Sequence, residues 1–300
     1  MNKLFTSLLI ALIIGCESTE KSNQNADGEN ASIPLVASTN YPLHYFTTRL
    51  GGDKIEAIFP LKPGIDPAFN EPDPEEIQQF QGADIIFING AGYEKWIEKI
   101  SLSTRKLVNT SSSFEDRYIE TEDATHSHGP EGEHSHTELA FTTWLDLGHA
   151  RAQAKSVLDH LMDYFPENKT EFQAKFVELT DDLIQLESEL RLKINSLDNK
   201  TAYASHPVYQ YLGAGYGLEI ISFHWEPGED PTEEQWEEFT ATHHEVQAAI
   251  MLWEDKPLPE VIDRLTEMDI RVVVFKPLGN IPENGDFISI MTKNIEDLVQ

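Results

Sequence analysis

Cysteine is almost absent from this chain: 300 residues carry only Cys16. A single thiol excludes internal disulfides and thiolate metal clusters. Positive charge is also scarce, with 22 Lys and Arg against 52 Asp and Glu, a formal net charge of −30. Such a surface repels phosphate backbones and anionic headgroups, which excludes nucleic-acid binding as a main function. The excess acid either keeps the chain soluble or gathers cations, and charge alone names no ligand. There is no Gly-rich phosphate loop, no Gly-x-Ser-x-Gly elbow and no closely spaced His-Glu hydrolase pattern, so no enzymatic activity is expected.

The N-terminus is what an export signal requires. Met1-Asn2-Lys3 is followed by an apolar run from Leu8 to Ile14, too short to span a bilayer as a mature helix, and then by Gly15-Cys16. Ile13-Ile14-Gly15-Cys16 resembles the bacterial lipobox, which makes Cys16 the expected lipidation site. Residues 1–16 are thus read as a lipoprotein signal and 17–32, rich in Asn, Ser and Glu, as a flexible tether. The protein is expected outside the cytoplasm, anchored to a membrane by lipid.

Beyond the tether, strand and helix patterns alternate. Ile33–Ser38, Lys54–Phe59 and Ala83–Asn89 read as strands, and Tyr41–Leu50, Glu75–Gln81 and Tyr93–Ile100 as helical stretches. Pro63, Pro67, Pro72 and Pro74 forbid regular structure between them. Asn168 to Leu197 carries Phe172, Phe176, Leu179, Leu183, Leu186, Leu190, Ile194 and Leu197 at intervals of three or four, one continuous helical stripe. Asn168 and Glu171 offer a capping pair, and Asp198-Asn199 an end. The second half repeats the pattern, with strands at Thr201–Ser205, Leu218–Ser222, Ala249–Trp253 and Arg271–Phe275, and a closing strand-helix pair around Ile288 and Ile295. The expected fold is α/β: two βα lobes with mostly parallel sheets, residues 33–165 and 199–300, joined by one long rigid helix within 166–198.

Five groups of residues then carry a family resemblance. They are Pro63-Gly64 with Glu71-Pro72-Asp73-Pro74; Gly82-Ala83-Asp84 with Asn89-Gly90 and Trp96; Trp144-Leu145-Asp146; His206 with Tyr211 and Tyr216-Gly217-Leu218; and Pro277-Leu278-Gly279. In order and spacing the chain resembles the zinc/manganese solute-binding proteins of bacterial ABC uptake systems. The resemblance implies a monomeric binding protein that captures Zn2+, or Mn2+, and delivers it to a membrane permease. Residues 126–136 place His126, His128, His134 and His136 beside Glu131 and Glu133. Neutral imidazoles in such a loop suit weak capture of zinc, copper or nickel, and the family's zinc-type branch has a loop of this kind at this place.

The ligand positions implied by the resemblance are substituted. The first falls on Ala68, the second on Thr142, the third on His206 and the fourth on Lys276. Alanine has no donor atom, threonine is a poor neutral ligand, and an ammonium repels a nearby cation. Either the site is lost, or it is rebuilt from neighbours such as Asp66, Glu71, Asp146, His149, His224 or Glu254. Lys276 is expected to pair with Glu71 or Glu254, or else to meet an anion beside His206. The alternative function is a relative without metal in its cleft, serving as an interaction or adhesion lipoprotein.

Overall fold

The computed structural model describes residues 33–121 and 138–299. Cys16 and the His126–His136 loop lie outside the described residues. Among the described residues no helix is long and apolar enough to cross a membrane.

The first half contains β1 (Leu35–Ser38), α1 (Tyr41–Gly51), β2 (Glu56–Ile58), α2 (Pro74–Gly82), β3 (Ile85–Ile88) and β4 (Leu107–Asn109). Its four strands form a parallel sheet in the order β2-β1-β3-β4. A short antiparallel ribbon follows, β5 (Glu120–Thr121) with β6 (Glu138–Leu139), and then α3 (Leu147–Tyr164). The second half contains β7 (Thr201–Ala204), α5 (Gln210–Tyr216), β8 (Glu219–Ser222), α6 (Glu233–Val246), β9 (Ile250–Trp253), α7 (Pro259–Glu267), β10 (Arg271–Val274) and α8 (Phe287–Asp297). Its sheet is also parallel, in the order β10-β9-β7-β8. Buried helix faces cover these strands, which is why β9 reads Ile-Met-Leu-Trp with no polar alternation.

Between the two sheets in sequence runs α4 (Lys169–Ser196), 28 residues and about 42 Å long. Phe172, Leu179, Leu183, Leu186, Leu190 and Ile194 form its buried stripe. It packs on α1 and α3 from the first half and on α5 and α8 from the second. Arg49 on α1 reaches Asp182 on α4 at 2.9 Å.

Several expectations are corrected here. Asn168 makes no cap: a 3-10 turn at Pro166–Asn168 leads straight into α4, and the Asn168 amide turns to Glu167. The helix ends at Ser196, before Asp198-Asn199, because Leu197 is already extended. Tyr93–Ile100 yields only a 3-10 turn at Lys95–Lys99, preceded by positive φ at Gly90, Ala91 and Gly92. Ile288 and Ile295 belong to one helix, not to a strand and a helix. Asp286 caps α8 through the Ser289 N–H, and Phe287, Met291 and Ile295 recur at a four-residue interval on its buried face.

Candidate functional site

In both sheets the strand order reverses between central neighbours, β1 and β3 in one, β7 and β9 in the other. In open parallel sheets the crevice beyond the carboxyl ends of such strands is where ligands bind. The loops leaving those ends line a cavity of about 490 Å³. Asp66, His206, His224, Glu226 and Glu254 face into it, beside Ala68, Phe69, Phe141 and Thr142.

Each donor is positioned by local structure. Asp66 lies in the proline-rich loop, where its Oδ1 accepts from the Ala68 N–H at 2.9 Å and the Tyr93 hydroxyl at 3.3 Å. That loop is tied down by the Trp96 indole, which donates to Pro67 O, and by the Asn280 amide, which donates to Lys62 O and Ile65 O. Pro277-Leu278-Gly279 is pinned from the first half by the Trp144 indole on Pro277 O and the Tyr41 N–H on Gly279 O. Phe223, His224, Trp225 and Glu226 continue β8 as extended chain, since the Phe223 and Trp225 N–H groups donate to Ala204 O and Ser205 O. The two aromatic rings are buried, so the alternate residues His224 and Glu226 turn outward to the cavity.

The cavity is electrostatically set for a cation. Burial and the neighbouring charges of Asp66 and Glu226 push the Glu254 carboxyl up to about 7. Asp66 stays accessible through the cavity but has protein on most sides, and this desolvation raises its carboxyl too. His206 is half-buried, and desolvation lowers its imidazole despite Glu226, 3.6 Å from Nδ1. A neutral imidazole is the form that binds metal. Among the described residues no lysine or arginine forms a salt bridge with Asp66, Glu226 or Glu254. Nor is any group of three His, Cys, Asp or Glu side chains among them already arranged to hold a metal ion.

The sequence-derived candidates divide sharply. His206, Asp66, His224 and Glu254 reach the cavity. Glu71 does not: it is exposed and pairs with Lys99 at 3.0 Å. Asp146 caps α3 through the Gly148 and His149 N–H groups. His149 is buried against Phe114, ring on ring at 4.2 Å. Ala68 contributes a methyl to the wall, and the Thr142 hydroxyl donates to Val208 O, joining the approach to α3 to the segment after β7. Lys276 corrects its expected pairing. It reaches neither Glu71 nor Glu254 but Asp255, at 3.2 Å, and it lines a larger adjoining cavity that shares Asp66 and Glu254 with the first, with its backbone held by the Asn294 side chain. Paired with Asp255, Lys276 is not among the residues that line the cavity around His206. Glu226 was not singled out in the sequence; the Phe-His-Trp-Glu alternation is the signal that marks it.

The fold has known counterparts. Over 310 aligned residues the chain is 24% identical to the zinc-binding lipoprotein AdcA of Streptococcus pneumoniae, covering 99% of this chain and 60% of that protein. The chain thus spans about 60% of the length of the first curated relatives it matches. It is 25% identical to the manganese ABC transporter substrate-binding lipoprotein PsaA of Streptococcus anginosus, covering 100% of this chain and 99% of that one. The crystal structure of the Zn(II)-bound ZnuA-like domain of S. pneumoniae AdcA superposes with a TM-score of 0.74 at 20% identity, covering 88% of this chain and 97% of that domain. The profile of the family described as zinc-uptake complex component A periplasmic, ZnuA, matches residues 36–300. With that profile spanning both sheets, the long helix and the cavity, the chain belongs to the ZnuA family.

Proposed function

We propose that this protein is the substrate-binding component of an ABC-type metal-uptake system, with zinc as its substrate. The observation that carries this reading is the cavity itself. Two imidazoles and three carboxylates face one space, against one cationic side chain on its wall, Lys95, and among the described residues no lysine or arginine is seen in a salt bridge with the three acids. Mixed imidazole and carboxylate donors suit zinc, and the imidazoles disfavour the harder manganese ion. Lipid on Cys16 would tether the domain outside the cytoplasm, the 126–136 loop would raise the local zinc concentration, and a membrane permease would receive the ion. Binding is the whole of the chemistry: donors replace the ion's water, and α4, packed on helices from both halves, limits any opening to a small tilt. The family match and the zinc- and manganese-transport relatives favour this role over the non-transport adhesion reading.

A ligand that binds only the folded chain raises its stability by about 2.7 kcal/mol at one hundred times its Kd. Thermal melts with zinc in that excess are expected to rise by roughly 5–10 °C, and less with manganese. An unchanged melting temperature with either ion would contradict the proposed function.

A further inference from the structure

We infer that the cation site of this chain is built on a single row of donors across the second sheet, His224–His206–Glu254, with Glu226 as the fourth side chain. This deepens the uptake reading and rests on it.

The row follows from strand register. In the pairing of β7 with β8, Ala204 sits opposite Ser222, and in the pairing of β7 with β9, Ala204 sits opposite Leu252. Two residues further on, those partners become His206, His224 and Glu254. Side chains two residues apart lie on the same face, and neighbouring strands are about 4.8 Å apart. Three potential ligands therefore follow the carboxyl ends of three adjacent strands. Beyond the last paired residues the β8 side slips by one residue against β7, since the Trp225 N–H donates to Ser205 O at 2.8 Å, and the chain there stays alongside the end of β7. All three side chains line the cavity.

Ring geometry supports the pair at the centre of the row. With Zn–N bonds of about 2.0–2.1 Å, two imidazoles on one tetrahedral zinc have ring centres about 5.2 Å apart. His206 and His224 have ring centres 5.6 Å apart and planes at 80°. The His206 Nδ1 atom is buried and has no hydrogen-bond partner. Glu226 is exposed with its Oε1 3.6 Å from His206 Nδ1, and Glu254 lines the same cavity, so side-chain rotation is the movement that would bring the carboxylates to the imidazole pair. The first half supplies a methyl at 68 and an engaged hydroxyl at 142, and among the described residues Asp66 is its one carboxylate at the cavity. A site confined to the second sheet does not require donors from both halves to meet.

The test is calorimetric zinc titration of the detergent-solubilised full chain and of a variant with His126, His128, His134 and His136 replaced by asparagine. In that variant background, His224→Ala and Glu254→Gln are added singly. His224 is exposed and the glutamine is isosteric, so both retain the fold, checked by melting without zinc. The expected result is one zinc per chain in the loop variant, weakened at least thirtyfold by either added change. Undiminished affinity in both would overturn the row while leaving the uptake function standing. Binding by the intact chain that vanishes in the loop variant would also overturn it. No binding by the intact chain would instead overturn the uptake reading on which the row rests.

Discussion

Trp225→Ala is expected to destabilise the fold by about 3–5 kcal/mol and, with zinc bound elsewhere excluded, to weaken cleft binding more than tenfold. The indole is 2% exposed and lies 4.7 Å, centre to centre, from Trp236, 5.0 Å from Phe239 and 6.1 Å from Trp253. Stiff rings on three sides relax only partly into such a hole, so a cavity term adds to the lost burial. The same ring is the anchor between His224 and Glu226. Without it the 223–226 segment loses the inward residue that forces its neighbours outward. Urea denaturation reads the first effect and zinc calorimetry the second. A loss under 1 kcal/mol with affinity unchanged would show that the aromatic cluster neither supports the second sheet nor positions the donors.

The second large effect is a pH dependence seated in the first half. Glu94 is buried, and desolvation pushes its carboxyl from the usual 4.5 up to about 7. Three donors oppose that rise without cancelling it: the Thr39 hydroxyl and the Asn89 and Gly90 N–H groups. Between pH 4.5 and 7 the folded chain holds a proton there that the unfolded chain has released. This group's contribution is therefore full below pH 4.5 and is lost as pH rises through 7, about 3 kcal/mol in all. Glu254 contributes in the same direction, so the comparison that isolates Glu94 is wild type against Glu94→Gln. The amide keeps an acceptor for Thr39 and Asn89 but turns an N–H toward Gly90, a constant loss at every pH. Plotted against pH, the stability difference between the two proteins is expected to change by about 3 kcal/mol across this window. A flat difference would mean that Glu94 is ionised throughout.

Much of the fold is legible in the sequence because burial writes a period into it. The α4 stripe, the apolar strands and the proline-rich loop all appear where their patterns require. What the pattern cannot carry is the chemistry of element ends. Asn168 has the right residue type for a cap but sits in a 3-10 turn, and Ile288 with Ile295 suits either period until Phe287 and Met291 are known to share their face. The site is less legible for a related reason. His206, His224 and Glu254 are 18 and 48 residues apart from first to second and first to third, and only the pairing of β7 with β8 and β9 brings their strand ends together. Substitution at Ala68, Thr142 and Lys276 therefore looks like loss when read one position at a time. Lys276 shows the limit most plainly, since its partner Asp255 is the residue after the expected Glu254.

The central claim is that zinc binds at the carboxyl ends of β7, β8 and β9. The most direct measurement is an anomalous difference map at the zinc edge from crystals of the protein grown with zinc. The account predicts a peak about 2.1 Å from a ring nitrogen of both His206 and His224, with carboxylate oxygen from Glu254 or Glu226 completing the sphere. A full-occupancy peak elsewhere, with none in this cavity, would contradict it.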